Sequence, residues 1–326
     1  MSSLCKRISG RIQMTIKSFR SDLHFSPYYA LLRIGSELGG RLHLQGLSRK
    51  ATEKKHRWVE AYLEKQLSPV IRQYEQDTDE GRYEPNAPIW VCWWTGEETA
   101  PALVKRCIES IRKNANGHPV HLITKDNYGD YLDIPDYILT KVEDGTMCVA
   151  NFSDYLRFSL LAQYGGWWMD ATMYCTRPLP EDIFKMSIFT CKGRTGPGDF
   201  YSDYRWTGFC FGTHRGHVAV RFLQAAFDAY WKQNAVSIDY LLVDYLICLV
   251  YRKNPTVHRL MEALPDNNLR RDDLQAAMNE ALPASKLDAV IQDDTILYKL
   301  SWREKYEPKT PDGEDSAYGA LIKGLI

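Results

Sequence analysis

A short apolar run, IWVCWW at residues 89–94, is the feature that most restricts the fold of this chain. It is rich in strand-favouring residues and follows the turn-rich segment EGRYEPNAP, so it predicts a buried strand. A helix is expected next, because Pro101 suits a first helical turn and Gly117 suits a position just past the last one. PVHLIT is expected to form a second strand. This order predicts an α/β fold with a largely parallel sheet, whose sites lie at the carboxyl ends of the strands.

Residues 1–85 differ from the rest and are predicted to form a basic, helical N-terminal extension, with residues 86–326 as the main domain. Up to Trp58, 12 Lys or Arg stand against three acids. Apolar residues recur at helical spacing from 11 to 34, and Pro27 is expected to divide this stretch into two helices. Two interpretations stay open: residues 1–58 contact an anionic membrane surface, or they form an ordinary helical extension that packs on the core.

Composition restricts the class of protein. The chain has 41 basic and 41 acidic residues and no formal net charge, which argues against a nucleic-acid partner. It contains no run of about 18 apolar residues, so no transmembrane helix is predicted. Charges interrupt the apolar stretches near the N-terminus, so no signal peptide is predicted either. A cytoplasmic location is therefore expected, with contact at the inner face of the plasma membrane left open.

The stretch FSDYLRFSLLAQYGGWWMDATMYCTRP, at residues 152–178, carries the most information about a site. Ser153 is expected to cap a helix that ends at Gly165 or Gly166. The run WWM is then expected to be a buried strand that delivers Asp170 at its carboxyl end. This acid is predicted to lie at the functional edge of the sheet, although a turn residue at a strand end is the plain alternative.

Asp154 and Arg157 are three residues apart, so they are expected to project from one face of the first helical turn. A helix start receives phosphate oxygens well, and an arginine there adds a planar, two-pronged donor. The alternative interpretation is a capping acid that forms a surface ion pair. Together with Asp170, these residues predict that two carboxylates and a guanidinium lie close together at the carboxyl edge of the sheet.

The segment SDYLR followed by LLAQYGGWWMDAT resembles the central motif of sugar-binding DXD glycosyltransferases, and more closely that of the capsular polysaccharide synthesis protein family. The resemblance extends over about residues 85–305 and includes IWVCWWTGEE, NGHPVHLITKDNYGDYLDIPDYI, YWKQNAVSIDYLLVDYLI and YKLSWR. It implies a Rossmann-like GT-A fold with a mostly parallel sheet that binds a nucleotide-sugar. It also implies transfer of the sugar to a glycan or lipid-linked glycan acceptor in bacterial surface polysaccharide synthesis, with retention at the anomeric carbon.

The resemblance also implies roles for single residues. It places the base of the donor against Trp93 or Trp94, although both could be core residues. It implies that Asp154 and Arg157 hold the donor sugar and its phosphate. Lys299, in YKLSWR, matches a family segment that closes over the donor, and its alternative is an exposed strand lysine.

Asp170 matches the first acid of the DXD motif, but the third motif position is Thr172. A divalent cation, Mn²⁺ or Mg²⁺, is expected from the resemblance, with Asp170 as its main protein ligand. A hydroxyl is a much weaker ligand than a carboxylate for such hard cations. If no metal binds, Arg157 and Lys299 are the residues expected to supply the positive charge.

Two further acids and a tryptophan are candidates for contacts with the acceptor or the sugar. Asp239 and Asp244 lie five residues apart beside a mostly apolar helix, where acids are costly unless they are paired or functional. Trp206, in YRWTGFCFG, is expected to line the acceptor side.

The sequence as a whole predicts a glycosyltransferase. A hydrolase with paired carboxylates explains neither the tryptophans that end the first strand nor the Asp154–Arg157 pair. The alternative is a catalytically inactive nucleotide-sugar-binding or scaffold protein. Thr172, in place of the second motif acid, would then indicate the loss of catalysis.

Overall fold

The computed structural model describes residues 19, 21–41, 45–193, 201–281, 291 and 295–326. Much of the segment on which the membrane interpretation rests, residues 1–18, lies outside the described residues. Within 21–41, helical structure stops at Ser26 and resumes at Pro27. The predicted break is therefore confirmed, and Pro27 lies at a helix start, where the N–H it lacks has no intrahelical partner to lose.

The described helices are α1 Pro27–Arg41, α2 Gln45–Gln66, α3 Ser68–Tyr74, α4 Ala102–Asn114, α5 Asp136–Glu143, α6 Val149–Tyr164, α7 Glu181–Phe184, α8 Val218–Gln233, α9 Leu242–Lys253, α10 Pro255–Ala263, α11 Asp273–Ala276 and α12 Ala317–Lys323. The described strands are β1 Ile89–Cys92, β2 Val120–Ile123, β3 Gly166–Met169, β4 Met173–Cys175, β5 Ile188–Thr190, β6 Cys210–Thr213 and β7 Leu297–Lys299. One turn of 3₁₀ helix covers Tyr128–Asp130.

The central sheet has five strands in the order β2-β1-β3-β6-β5. Strand β1 pairs in parallel with β2 and with β3, whereas β6 is antiparallel to both β3 and β5. Four strands therefore run in one direction and β6 is reversed. The predicted α/β fold with a mostly parallel sheet is confirmed, and β3 is its middle strand.

The predicted strand–helix–strand unit is also confirmed, as β1, α4 and β2. Helix α4 buries the expected apolar residues: Ile108 and Ile111 pack in the cluster of the central sheet, whereas Leu103 and Cys107 pack in the cluster of β4 and β7. Gly117 follows the helix with a φ of 88°, a backbone conformation that glycine adopts without strain. A second sheet consists of two antiparallel strands, β4 and β7, and β4 begins four residues after the end of β3.

The N-terminal helices form part of the main hydrophobic core. Val59 and Leu63 of α2 are fully buried in the same cluster as Phe222 of α8 and Leu246 of α9. Tyr29 of α1 is also fully buried, and its hydroxyl donates a hydrogen bond to the carbonyl of Ile238. For residues 27–74, packing on the core is therefore the observed arrangement.

A buried ion pair joins this extension to the main domain. The ammonium of Lys55 in α2 lies 2.8 Å from a carboxylate oxygen of Asp239, and the two side chains are 12% and 7% exposed. Burial alone would raise the pKa of Asp239, but Lys55 and the N–H of Leu241 hold it below the ordinary value. Asp239, expected to contact the acceptor or the sugar, is thus engaged by the N-terminal extension.

We expect Asp239→Ala to destabilise the protein by about 3 kcal/mol, because it leaves the ammonium of Lys55 buried without its partner. The matched control is Asp182→Ala, which breaks an exposed pair with Lys185 and should cost less than about 1 kcal/mol. Urea unfolding of both variants measures the difference. Equal losses of unfolding free energy would show that the Lys55–Asp239 pair does not anchor the extension.

Candidate active site

Helix α6 carries Asp154 and Arg157, but it begins earlier than the sequence predicts. Its first residue is Val149 and its N-cap is Cys148, so Ser153 lies inside the helix and caps nothing. The early start lets the fully buried Phe152 join the core from the helix, and this packing overrides the capping preference of serine. The prediction that Asp154 and Arg157 lie in the first turn is therefore wrong, and the argument from phosphate binding at a helix start does not apply to them.

The predicted pairing of these two residues is confirmed. The guanidinium of Arg157 donates one hydrogen bond of 2.8 Å to Asp154 and another of 3.2 Å to Asp170. It also lies 4.9 Å from the ring centroid of Trp168. Arg157 is only 5% exposed, so this is a buried network and not a surface ion pair.

The glycine pair after α6 delivers Asp170 to this network. Gly165 ends the helix with a φ of 69° and Gly166 opens β3 with a φ of 88°. A Cβ at Gly166 would lie 2.1 Å from the carbonyl oxygen of Pro88, so only glycine fits between α6 and β3 here. Strand β3 then ends at Met169, and Asp170 follows at its carboxyl end, as predicted.

The carboxylate of Asp170 receives donors from three directions. One oxygen accepts from Arg157 and from the indole N–H of Trp168 at 2.9 Å, and the other accepts from the ammonium of Lys299 at 2.8 Å. Burial alone would raise the pKa of Asp170, but Lys299 and then Arg157 hold it below the ordinary value. Asp170 is therefore ionised at neutral pH.

Lys299 also binds the third motif position. Its ammonium donates a hydrogen bond of 2.6 Å to the hydroxyl of Thr172. A divalent cation at Asp170 and Thr172 stays a prediction drawn from the resemblance. In this arrangement the two side chains do not fit a cation, because the ammonium of Lys299 is hydrogen-bonded to both. Within the described ranges, no group of three or more His, Cys, Asp or Glu side chains is arranged to hold a metal ion.

Asp244 joins the site from helix α9. It accepts a hydrogen bond of 3.1 Å from the indole N–H of Trp206. It also interacts electrostatically with Asp154 and Arg157. Burial raises the pKa of Asp154 to about 7 and that of Asp244 to about 6. Trp206 itself is 1% exposed, so its ring offers no surface to an acceptor and its contact in the site is with Asp244.

The two predicted stacking residues have different surroundings. Trp94 packs edge-on against Phe152 at 5.1 Å between ring centroids and borders the main core. Trp93 meets Trp302 edge-on at 5.6 Å, and Trp302 is 43% exposed. Trp93 directly follows β1, whose last residue, Cys92, feels the charge of Asp170. Trp93 and Trp302 thus form an aromatic wall at the same edge of the sheet as Asp170.

Two side chains at this edge of the sheet, Trp302 and Arg271, were not predicted from the sequence. Trp302 lies in YKLSWR, and a tryptophan three residues after a candidate lysine was a usable signal. Arg271 has no such signal, because it comes near Lys299 only through the fold. The backbone N–H of Lys299 donates a hydrogen bond of 2.8 Å to the carbonyl of Arg271.

Comparisons with known proteins give a family match and a structural match. A family model described as capsular polysaccharide synthesis protein matches residues 41–321, a longer stretch than the 85–305 of the sequence resemblance. Among solved structures, one titled "PaToxG Glycosyltransferase" is 14% identical, with 65% of this chain and 84% of that chain covered and a TM-score of 0.37. A search of curated proteins finds no match.

We expect Asp244→Asn to stabilise the protein above about pH 6. A carboxyl whose pKa rises from 3.8 in the unfolded chain to about 6 in the fold costs at most about 3 kcal/mol when ionised. The folded state holds the proton more tightly, so this cost is largest above pH 6 and disappears as pH falls towards 4. The amide keeps an acceptor for Trp206, and partial exposure of the side chain reduces the expected gain to about 2 kcal/mol.

Urea unfolding of both proteins at several pH values checks this expectation. Asp126→Asn, which replaces an exposed carboxylate, is the control and should stay close to wild type. A gain from Asp244→Asn that is the same at about pH 8 and about pH 5 would contradict the burial argument.

Proposed function

The chain belongs to the capsular polysaccharide synthesis protein family, and we propose that it is a GT-A glycosyltransferase that moves a sugar from a nucleotide-sugar donor to a glycan acceptor in surface polysaccharide synthesis. The observation that carries this proposal is the convergence of Asp154, Arg157, Asp170 and Lys299 at the carboxyl edge of the central sheet. Sites in mostly parallel sheets form at this edge, where the strand ends of β1 and β3 meet.

The proposed donor lies along this edge. Its base stacks on the aromatic wall of Trp93 and Trp302, since a base offers a π-face to an aromatic ring. Its sugar hydroxyls donate to Asp154 and Asp170, and its diphosphate lies towards Lys299. The site supports this order because Trp93 follows β1 and Asp170 follows the neighbouring strand β3.

In the proposed reaction, the bond between the anomeric carbon and the diphosphate oxygen breaks, and its electron pair leaves with the nucleoside diphosphate. A hydroxyl oxygen of the acceptor forms the new bond to the anomeric carbon on the same face. The proton of that hydroxyl passes to the leaving diphosphate oxygen, so the anomeric configuration is retained. Fixed positive side chains near the diphosphate stabilise the negative charge that develops there.

Asp244 is proposed to meet the acceptor sugar. Its carboxyl, with a pKa of about 6, is largely ionised at neutral pH and can accept hydrogen bonds from sugar hydroxyls. The indole of Trp206 fixes one of its oxygens and leaves the other for the ligand. The glycan or lipid-linked glycan is therefore expected on the α9 side of the opening.

We also propose that the enzyme works in the cytoplasm, in contact with the anionic inner face of the plasma membrane through residues 1–58. No helix in the described ranges has the length and apolar character needed to cross a membrane. The outer face of the N-terminal helices exposes Leu23, Tyr28 and Leu31 at 41%, 52% and 64%. Basic residues are in excess in the same segment, which suits a surface of anionic lipid.

We expect Asp170→Asn to lower the release of nucleoside diphosphate from its cognate donor by about a hundredfold or more, because Arg157 and Lys299 lose the charge that positions them. The measurement is release from a panel of UDP-, GDP- and ADP-sugars with the purified full chain. Asp312→Asn, at an exposed position, is the matched control and should react at the wild-type rate.

The same panel tests the alternative of an inactive sugar-nucleotide-binding protein. Donor binding by the wild type without turnover, in the presence of cell-extracted glycan acceptors, would favour that alternative. A folded Asp170→Asn variant with full turnover would remove Asp170 from the site.

For the membrane contact, we expect the full chain to co-sediment with vesicles of phosphatidylglycerol and phosphatidylethanolamine, and to be released as salt is raised. The variant Tyr28→Ser/Leu31→Ser should bind less, because it removes exposed apolar side chains. Leu325→Ser, which changes an exposed leucine at the other end of the chain, is the control. Equal binding to neutral vesicles, or none, would contradict the proposal.

A further inference from the structure

The position of Lys299 is fixed by the β4–β7 ladder. Lys299 is paired with Met173, the residue directly after Thr172, and the N–H of Leu300 donates a hydrogen bond of 3.0 Å to the carbonyl of Thr172. The lysine thus approaches the motif from the neighbouring strand and not from a free loop. Its side chain is only 24% exposed, which agrees with a fixed position.

The Lys299 ammonium binds both motif side chains that would face a divalent cation. It lies 2.8 Å from an oxygen of Asp170 and 2.6 Å from the hydroxyl of Thr172. The other oxygen of Asp170 is already engaged by Arg157 and Trp168. A divalent cation at this position would have to displace an ammonium held by the sheet, and it would gain a single carboxylate in return.

A second positive side chain, that of Arg271, contacts the same aromatic ring as Lys299. The ammonium of Lys299 lies 5.0 Å from the centroid of the Phe209 ring, and the guanidinium of Arg271 lies 5.6 Å from the same centroid. The Phe209 carbonyl accepts the N–H of Asp170, so this ring belongs to the same edge of the sheet.

The guanidinium of Arg271 is incompletely paired within the described part of the chain. Arg271 is 8% exposed, and among the residues that the structure describes one of its terminal nitrogens has no hydrogen-bond partner. Its ion pair with Asp272 spans 3.6 Å, and the side chain of Asp272 is 70% exposed, so this pair is weak. A buried guanidinium with an unsatisfied N–H is suited to an anionic ligand.

We propose that the ammonium of Lys299 takes the position that a divalent cation holds in DXD glycosyltransferases, and that Lys299 and Arg271 together receive the diphosphate of the donor without metal. The inference rests on the proposed function, and it assigns Arg271 to the donor site. Arg157 is not part of this pair, because its two terminal nitrogens are already hydrogen-bonded to Asp154 and Asp170. Two fixed cations then face the two phosphate groups.

The experiment measures binding of UDP, GDP and ADP to the purified full chain by calorimetry, in EDTA and in Mn²⁺. We expect the wild type to bind one of them in EDTA with an affinity close to that in Mn²⁺. Lys299→Ala and Arg271→Ala should each weaken binding by about tenfold to a hundredfold, the loss typical of a charged hydrogen bond. Lys299→Arg should recover part of the loss, whereas Lys305→Ala, at an exposed lysine nearby, should not change binding.

A double variant tests whether the ammonium of Lys299 occupies the position of a divalent cation. Thr172→Asp/Lys299→Ala supplies a second carboxylate and removes the ammonium, so nucleoside diphosphate binding should now require Mn²⁺ and be lost in EDTA. Binding by the wild type that is lost in EDTA and restored by Mn²⁺ would overturn the inference and leave the proposed function standing. If the folded wild type binds none of the three nucleotides in either condition, the proposed function is overturned, and this inference with it.

Discussion

The ion-pair network around the carboxylate of Asp170 is the constraint on which the rest of the site depends. A partly buried carboxylate needs charged or hydrogen-bonding partners, and the partners of Asp170 come from different elements: Arg157 from α6, Trp168 from β3 and Lys299 from β7. These contacts hold α6 and the small β4–β7 ladder against the end of the central sheet. One charge thus fixes the relative positions of the groups that would bind the donor.

The acids of this protein show how one residue type can have opposite effects on stability. At Asp239, Lys55 outweighs the cost of burial and lowers the pKa, so this acid stabilises the fold at neutral pH. At Asp154 and Asp244, burial outweighs the nearby positive charge and raises the pKa. The acids that destabilise the ionised fold, Asp154 and Asp244, both lie in the candidate site, which is the pattern expected where a site is kept at a cost in stability.

The N-terminal extension belongs to the same folding unit as the site. Val59 and Leu63 of α2 lie in the core cluster that also contains Phe152 of α6. The family match begins at residue 41 and so covers α2 as well. Because α2 also carries Lys55, the partner of Asp239 near the start of α9, the extension helps to position the helix that holds Asp244.

Local pattern alone determined the outline of the fold and part of the site. Alternation of apolar runs with turn residues predicted β1, α4 and β2, and the glycine pair predicted where α6 ends and where Asp170 emerges. The pairing of Asp154 with Arg157 also followed from spacing, since residues three apart share a helix face. These features depend on neighbours within a few residues, which a sequence displays directly.

Only the tertiary structure decided which distant residues complete the site. Lys299 is 129 positions from Asp170, and the register of the β4–β7 ladder brings it onto Asp170 and Thr172. Lys55 is 184 positions from Asp239. The start of α6 was decided by the burial of Phe152, which a capping serine could not outweigh. Long-range pairing and core packing depend on contacts between elements that no local pattern encodes. This is why Lys299 was named only through the family resemblance, and why the contacts of Lys55 and Arg271 were not predicted from the sequence at all.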